Sequence, residues 1–320
     1  MNKKYALLVF AIFYSIFGNC AELIFPDRPV TLVVATPAGG ATDKVARLVG
    51  KALQDIWKQN IVIENRIGAS GNIASQYIAK AKPDGYTLLV SAGPFSINPS
   101  LFQSLPFDTQ KDFLPIASMS SFSAALIVNS KSPIKTLDDF IVAAKQSKSL
   151  HYASGGTGTS AHLTMELIKE KLKLNLEHIP YKGGAPAMND LVAGNIMVMM
   201  AGMGDASRFL NSGQIRVIAT TGKERSYLTP NISTLQEKNI LDFDTSGWNG
   251  LHAPAKTPTW IIEKINQDVR IAVNSQTVKD GLRSMDIDPK PMTLPEFKNF
   301  MTVQFAKWKE AVEISGAKPD

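Results

Sequence analysis

From Val30 onward the chain alternates short apolar runs with amphipathic stretches. Val30 to Ala35 (VTLVVA) is continuously apolar, the pattern of a strand buried on both faces. The following stretch places Val45, Leu48, Val49, Ala52 and Ile56 at helical spacing. Further strand-like runs stand at 60–64, 86–90, 124–128, 176–180, 196–201 and 215–220. Helical patterns fall around 70–82, 136–147, 160–172, 186–194 and 258–274. Such alternation predicts parallel sheets covered by helices. A final helix carries Phe297, Phe300, Met301, Trp308 and Val312 on one face, a core-docking stripe, with Gly316 as its stop. Met197, Met199, Met200 and Met203 read likewise as packing around a strand. Two stretches look alike: PAGGATDKVARLVG (37–50) and YKGGAPAMNDLVAG (181–194) each set Gly-Gly-Ala ahead of a helix. The likeness suggests one strand–loop–helix unit used in two duplicated lobes.

The first residues follow a different pattern. Lys3 and Lys4 precede a run from Tyr5 to Phe17 that is apolar except for Ser15, and small or polar residues follow at 18–21. This is the layout of a secretory signal peptide over 1–21, whose 13-residue apolar run is shorter than the ~20 apolar residues that span a bilayer. A periplasmic location is the expectation. Cys20, the one cysteine in the sequence, falls at the cleavage region. Asn19 and Phe17 stand where a lipidation site has a small and an aliphatic residue, so removal or a frayed terminus is the reading taken, with a lipid anchor as the alternative.

At 320 residues, with 44% hydrophobic and 19% charged residues, the chain has the composition of a globular protein with room for two domains. The net charge of +6 falls by two when Lys3 and Lys4 leave with the leader. That mild excess suits an anionic cargo. No Lys/Arg run tracks a phosphate backbone, so nucleic acid is not an expected partner.

Two glycine-rich loops have the makings of an anion site. PAGGATD (37–43) contains Ala38, Gly39, Gly40, Thr42 and Asp43; SGGTGTSAH (154–162) contains Ser154, Thr157, Gly158, Thr159, Ser160 and His162. Glycines let the backbone approach a ligand, and the first turn of the helix that follows leaves amide donors free. Thr42 and Ser160 are the candidate N-caps, and His162 is a candidate cargo contact. Neither loop holds Lys or Arg, which fits backbone capture of a carboxylate better than a phosphate cradle. The plain alternative is that both are ordinary βα turns. A second alternative is a dinucleotide site, since Gly156, Gly158 and Ala161 match G-x-G-x-x-A and Glu177 lies near the offset of a ribose-binding acid. The sequence lacks a G-x-S-x-G elbow, a phosphate-loop lysine motif and H-E-x-x-H, and its four histidines show no ligand spacing, so no cofactor or metal is expected.

The stretches FPDRPVTLVV (25–34), PAGGATDKVAR (37–47), ENRIGASGNIA (64–74), AKPDGYTLL (81–89), INPSLF (97–102), GTGTSAHL (156–163), PYKGGAPAMNDLVAG (180–194) and WNGLHAPAKTP (248–258) occur in this order. Together they resemble the Bug, or TctC-like, solute receptors of tripartite tricarboxylate transporters. The resemblance implies a two-lobed, type II-like periplasmic-binding-protein (Venus flytrap) α/β fold, each lobe a mixed, mostly parallel sheet flanked by helices. Lobe 1 would comprise 22–123 plus 247–320, and lobe 2 would comprise 124–246. It implies that Gly39, Gly40, Thr42 and Asp43 line the first lobe, and that Ser91 and Asn98 stand near the cleft. Ser154, Thr157, Gly158, Thr159 and Ser160 would line the second lobe, with Asp205 near the hinge side. Two departures stand out. The family usually has a large residue where Ala35 or Thr36 precedes Pro37, which bears on the cleft floor. It usually has Pro-Thr, an acidic residue and Gly where this chain reads ISTLQEKN (232–239), a difference expected to lie on the surface.

The function this implies is capture of a small carboxylate, such as an organic acid, amino acid or aromatic acid, by a monomeric receptor that hands it to permease subunits in the membrane. The alternatives are a ligand sensor feeding a two-component system, and a secreted enzyme using Asp43 or Asp205 as a general base.

Overall fold

The computed structural model describes residues 24–319, so the leader read at 1–21 and Cys20 lie outside the described residues. β1 (Val30–Val34) is rich in β-branched residues and almost wholly buried. It leads into α1 (Ala41–Trp57), whose Val45, Ala46, Val49, Leu53 and Trp57 form a buried stripe. The unit recurs in β2 (Ile61–Asn65), a 3-10 turn (Ala69–Gly71) and α2 (Asn72–Ala79), then in β3 (Thr87–Ala92) and α3 (Pro94–Leu101). β4 (Phe113–Phe122) passes through Ser123 directly into β5 (Ala124–Asn129) of a second sheet. There follow α4 (Leu137–Gln146), β6 (Leu150–Ser154), α5 (Ser160–Leu172), β7 (Leu176–Pro180) and α6 (Gly184–Ala193). β8 (Val198–Gly202), α7 (Met203–Asn211) and β9 (Ile215–Thr220) complete that half. The chain returns in β10 (Gly247–Pro254) and closes with α8 (Thr259–Asn274), α9 (Gln276–Arg283), the short β11 (Asp288–Pro289) and α10 (Leu294–Ser315).

Two sheets result, ordered β11-β4-β10-β3-β1-β2 and β7-β6-β8-β5-β9. Parallel pairing, as the alternation predicts, holds β1 to β2 and β3, and β6 to β7 and β8. The remaining pairs are antiparallel: β10 opposes β3 and β4, β11 opposes β4, and β5 opposes β8 and β9. The path of the chain explains this. β4 and β5 carry it out of one lobe into the other, β9 and β10 carry it back, and opposite passes pair antiparallel where they meet. The passes touch at the crossing, where the Thr221 amide donates to the Ala124 carbonyl and the Ala124 amide to Thr221 Oγ1, each at 2.8 Å.

Each lobe is built on the same trio, since β2-β1-β3 matches β7-β6-β8 in order and direction. The counterpart of β1–α1 is therefore β6–α5. The Gly-Gly-Ala likeness between 37–50 and 181–194 joins units that are not equivalent, because a glycine pair is a general solution to a tight βα turn.

Apolar side chains fill both faces of each sheet. Leu32, Leu53, Ile116 and Ile265 pack beneath α1 and α8, while Val33, Ile78, Leu89 and Phe297 pack on the opposite face. In the second lobe Leu126, Phe140, Tyr152 and Leu163 form one core and Ile127, Met188, Met199 and Met203 another. Met199, Met200 and Met203 are buried as the sequence predicts, whereas Met197 is exposed. The 232–239 segment is no surface variation: Thr234 bridges to Thr220, and Thr234 and Leu235 are fully buried. α10 begins in a Thr293–Glu296 capping box and ends at left-handed Gly316. Its Phe297 and Met301 sit in a first-lobe core, and its Trp308, Ala311 and Val312 in a second-lobe core.

Candidate functional site

The C-terminal ends of the three parallel strands of the first lobe open onto one cavity of about 310 Å³. Ala35, Thr36 and Pro37 follow β1; Ile67, Gly68, Ser70 and Gly71 follow β2, with Ser75 behind them in α2. Leu89, Ser91, Ala92, Pro94, Phe95 and Asn98 come from β3 and α3. Ligands of open α/β sheets bind at this edge, outside the carboxyl ends of the strands. None of these lining residues is ionisable. The helices that start here are headed by Gly40, Gly71 and Gly93, and none of the three has a side-chain cap. The N-termini of α2 and α3 reach this neutral cavity at Gly71 and Pro94, Pro94 bringing no N–H of its own, and the Pro37 turn leads from it to the start of α1.

The first glycine loop is locked from beneath by Asp43. Its Oδ2 accepts from the Gly39 amide at 2.8 Å and from Arg47 Nε at 2.9 Å, and its Oδ1 accepts from Asn65 Nδ2 at 2.9 Å. Burial pushes this carboxyl up, but the bonds from Arg47, Gly39 and Asn65 and the Arg47 charge outweigh burial and hold it at about 2. Asp43 is buried within α1 and faces the protein. Thr42 is also buried inside α1, and the N-cap is Gly40, not Thr42. A glycine cap leaves the amides uncovered where a threonine would occupy one.

The turn after β2 went unread as a site in the sequence. Gly68, Ala69, Ser70 and Gly71 all have positive φ, at 126°, 46°, 53° and 90°. For Ala69 and Ser70 this is a strained conformation that the surroundings have to hold. Asn98 does so, donating from Nδ2 to the Ser70 carbonyl at 3.0 Å and to Asn72 Oδ1 at 2.8 Å. The sequence signal was the Gly-x-Ser-Gly at 68–71 ahead of a helical pattern. Ser91 forms the floor, with Oγ 2.8 Å from His252 Nδ1 and 3.2 Å from the Gly250 carbonyl. Burial depresses the His252 imidazole to about 3, so the ring is neutral.

In the second lobe the loop after β6 turns through Gly156 and Gly158, both with positive φ. The N-cap of α5 is Thr159, whose Oγ1 accepts from the His162 amide at 3.3 Å; Ser160, the expected cap, is the first helical residue. Ser154 is fully buried, with Oγ 2.7 Å from His178 Nε2. His162 is buried too, accepting the Gly158 amide at Nδ1 (3.1 Å) and stacking on His178 with ring centroids 3.9 Å apart. It braces the loop, and one amide read as free is thereby occupied. Thr157 stays half-buried at the apex.

Gly158 joins this loop to the first lobe. A Cβ there would lie 2.7 Å from Leu101 Cδ2, one helical turn from cavity-lining Asn98 on α3. Asp205 is exposed in the first turn of α7, at the carboxyl end of β8, its Oδ2 3.6 Å from where a Cβ on Gly184 or Gly202 would stand; Gly184 in turn packs on the second glycine loop, its N 3.3 Å from where a Cβ on Gly155 would lie. The lining thus brings together Ser91 and Asn98 beside the Pro37 turn that carries Ala38, Gly39 and Gly40. Asp43, Ser154 and His162 hold loops from behind. Glu177 rules against the dinucleotide reading: it pairs with His151 near the start of β7, about 10 Å from the strand end that carries the glycines.

Residues 45–316 match the family described as Tripartite tricarboxylate transporter family receptor, TctC. The chain belongs to this family. It is 31% identical to Protein BugT of Bordetella pertussis, over 99% of each chain. A TctC solute binding protein from Polaromonas, solved without ligand, superposes with a TM-score of 0.83 at 29% identity, over 90% of this chain and 99% of that one. A Rhodopseudomonas palustris protein solved with adipate gives 0.77 at 30% identity, over 92% and 100%. MatC from the same species, solved with bound malate, gives 0.73 at 30% identity, over 90% and 100%.

Proposed function

We propose that this chain is a periplasmic receptor that captures a small carboxylate between its lobes and presents it to the permease subunits of a tripartite tricarboxylate-type transporter. The observation that carries this reading is a cavity without an ionisable lining residue, at the carboxyl ends of three parallel strands, where the N-termini of α2 and α3 arrive. An anion held there has amides and helix dipoles to neutralise it. A charge-assisted hydrogen bond contributes about 1.5–3 kcal/mol and a dipole about 0.3–1 kcal/mol. Three or four such bonds, less desolvation and closure, are consistent with affinities near micromolar, about −8 kcal/mol.

The second lobe would supply the Thr157 amide, since that of Gly158 is held by His162, as the lobes close about the paired crossings. The lobe division falls at those crossings, after Ser123 and before Gly247. Adipate and malate in two relatives are both carboxylates, which favours that cargo chemistry here. Capture without reaction is favoured by the state of Asp43: a general base needs a pKa near the working pH, and this carboxyl is held at about 2 beneath the loop. Among the described residues no helix is long and apolar enough to cross a membrane, and no group of His, Cys, Asp or Glu is arranged to hold a metal.

Isothermal titration against organic acids and their amides tests the reading. Acids are expected to bind and amides not, with the bound acid recovered unchanged. A panel in which no acid binds or raises the melting temperature removes it.

A further inference from the structure

The cavity selects for more than a carboxylate. Its walls are mainly apolar, with Ala35, Pro37, Ile67, Leu89, Pro94 and Phe95 around a space of about 310 Å³. An apolar cavity of roughly 150 Å³ holds benzene, so a ring with a substituent fits. The space exists because small residues meet at its wall: a Cβ built on Gly71 would lie 3.2 Å from that of Ala35. Ile67 is 56% exposed at the same cavity, an apolar side chain left in water until something covers it. A second carboxylate pushed into this space would find no cationic side chain, and an unpaired buried charge is strongly disfavoured.

Resting on the receptor reading above, we infer that the cargo is a monocarboxylate bearing an apolar ring, with the carboxylate at the glycine-headed helix ends and the ring in the Ala35–Phe95 cavity. This sets the chain apart from relatives solved with the open-chain dicarboxylates malate and adipate.

Titration calorimetry of the purified, exhaustively dialysed chain compares phenylacetate, benzoate and cyclohexanecarboxylate with malate, adipate, butyrate and phenylacetamide. The ring acids are expected to bind at least tenfold more tightly than malate, adipate or the amide. Ala35→Phe, which fills the cavity, is expected to weaken the ring acids at least tenfold and butyrate less than threefold. Ile67→Ala, at an exposed site that leaves folding intact, is expected to weaken the ring acids about threefold. Malate or adipate binding more tightly than every ring acid, or ring-acid affinity unmoved by both substitutions, overturns the inference and leaves the receptor reading standing. Failure of every acid to bind removes both.

Discussion

The Gly39 amide donates to the Asp43 carboxylate at 2.8 Å, so the first glycine loop is fixed by a buried residue of the helix that follows it. Asp43→Ala leaves the donors of Gly39, Arg47 and Asn65 without their shared acceptor. It is expected to cost about 2–3 kcal/mol of stability and to weaken every acid that binds. Asp43→Asn keeps the shape and loses the charge, and is expected to cost less. Urea unfolding checks the order. Because the folded pKa lies below the ordinary aspartate value of 3.8, this contribution is complete above pH ~4 and is lost as pH falls towards 2. Asp43→Asn should therefore flatten the acid limb of the stability curve.

The stacked pair of buried His162 and half-buried His178 gives a second, separate pH limb. Burial, the neighbouring His162 and Lys169 depress His178 to about 4, and burial lowers His162 as well. The unfolded chain takes up these protons near pH 6.5 while the native state refuses them. Stability is expected to be full above pH ~6.5 and to decline as pH falls towards 4. Imidazole chemical shifts followed through this range should show His178 still neutral at pH 5.

Asn98 restrains the turn in which Ala69 and Ser70 hold positive φ. Asn98→Ala removes both of its bonds, and cargo affinity is expected to fall about tenfold by calorimetry. The melting temperature should fall by a few degrees only, since the freed turn can relax into water.

Gly158 combines a φ of +73° with a position at which a Cβ would lie 2.7 Å from Leu101 Cδ2. Gly158→Ala is expected to cost about 1–2 kcal/mol from the backbone alone and to push the second-lobe loop off α3. Weaker cargo binding with an enlarged radius of gyration in solution scattering is the expected outcome.

Trp308 belongs to the last helix, yet packs in the second lobe, with its Nε1 bonded to Gln304 Oε1 at 2.6 Å and Gln304 in turn to the Asp244 carbonyl at 2.9 Å. Trp308→Ala is expected to cost about 3–5 kcal/mol. Hydrogen exchange should rise in β6 and α5 while β1 and β3 keep their protection.

Local chemistry made much of this protein legible from sequence. The apolar run of β1, the glycine loops and the Gly316 stop each express burial or capping within a few residues, and the structure places each where it was read; the stripe of α1 turns out rotated, with Val45, Ala46, Val49, Leu53 and Trp57 buried and Ile56 exposed. The resemblance across 25–258 carried the two-lobed architecture. What the sequence left open depends on where distant segments meet. The direction of β10 and β5 follows from the path between lobes, and no residue within either strand encodes it. The turn at 68–71 joins the cavity because β2 lies beside β1, and Asp43 became a brace because Arg47 and Asn65 converge on it. Trp308 crosses to the other lobe because α10 is long enough to reach both cores. Periodicity reports which face of an element is covered; the identity of what covers it is settled by long-range packing alone.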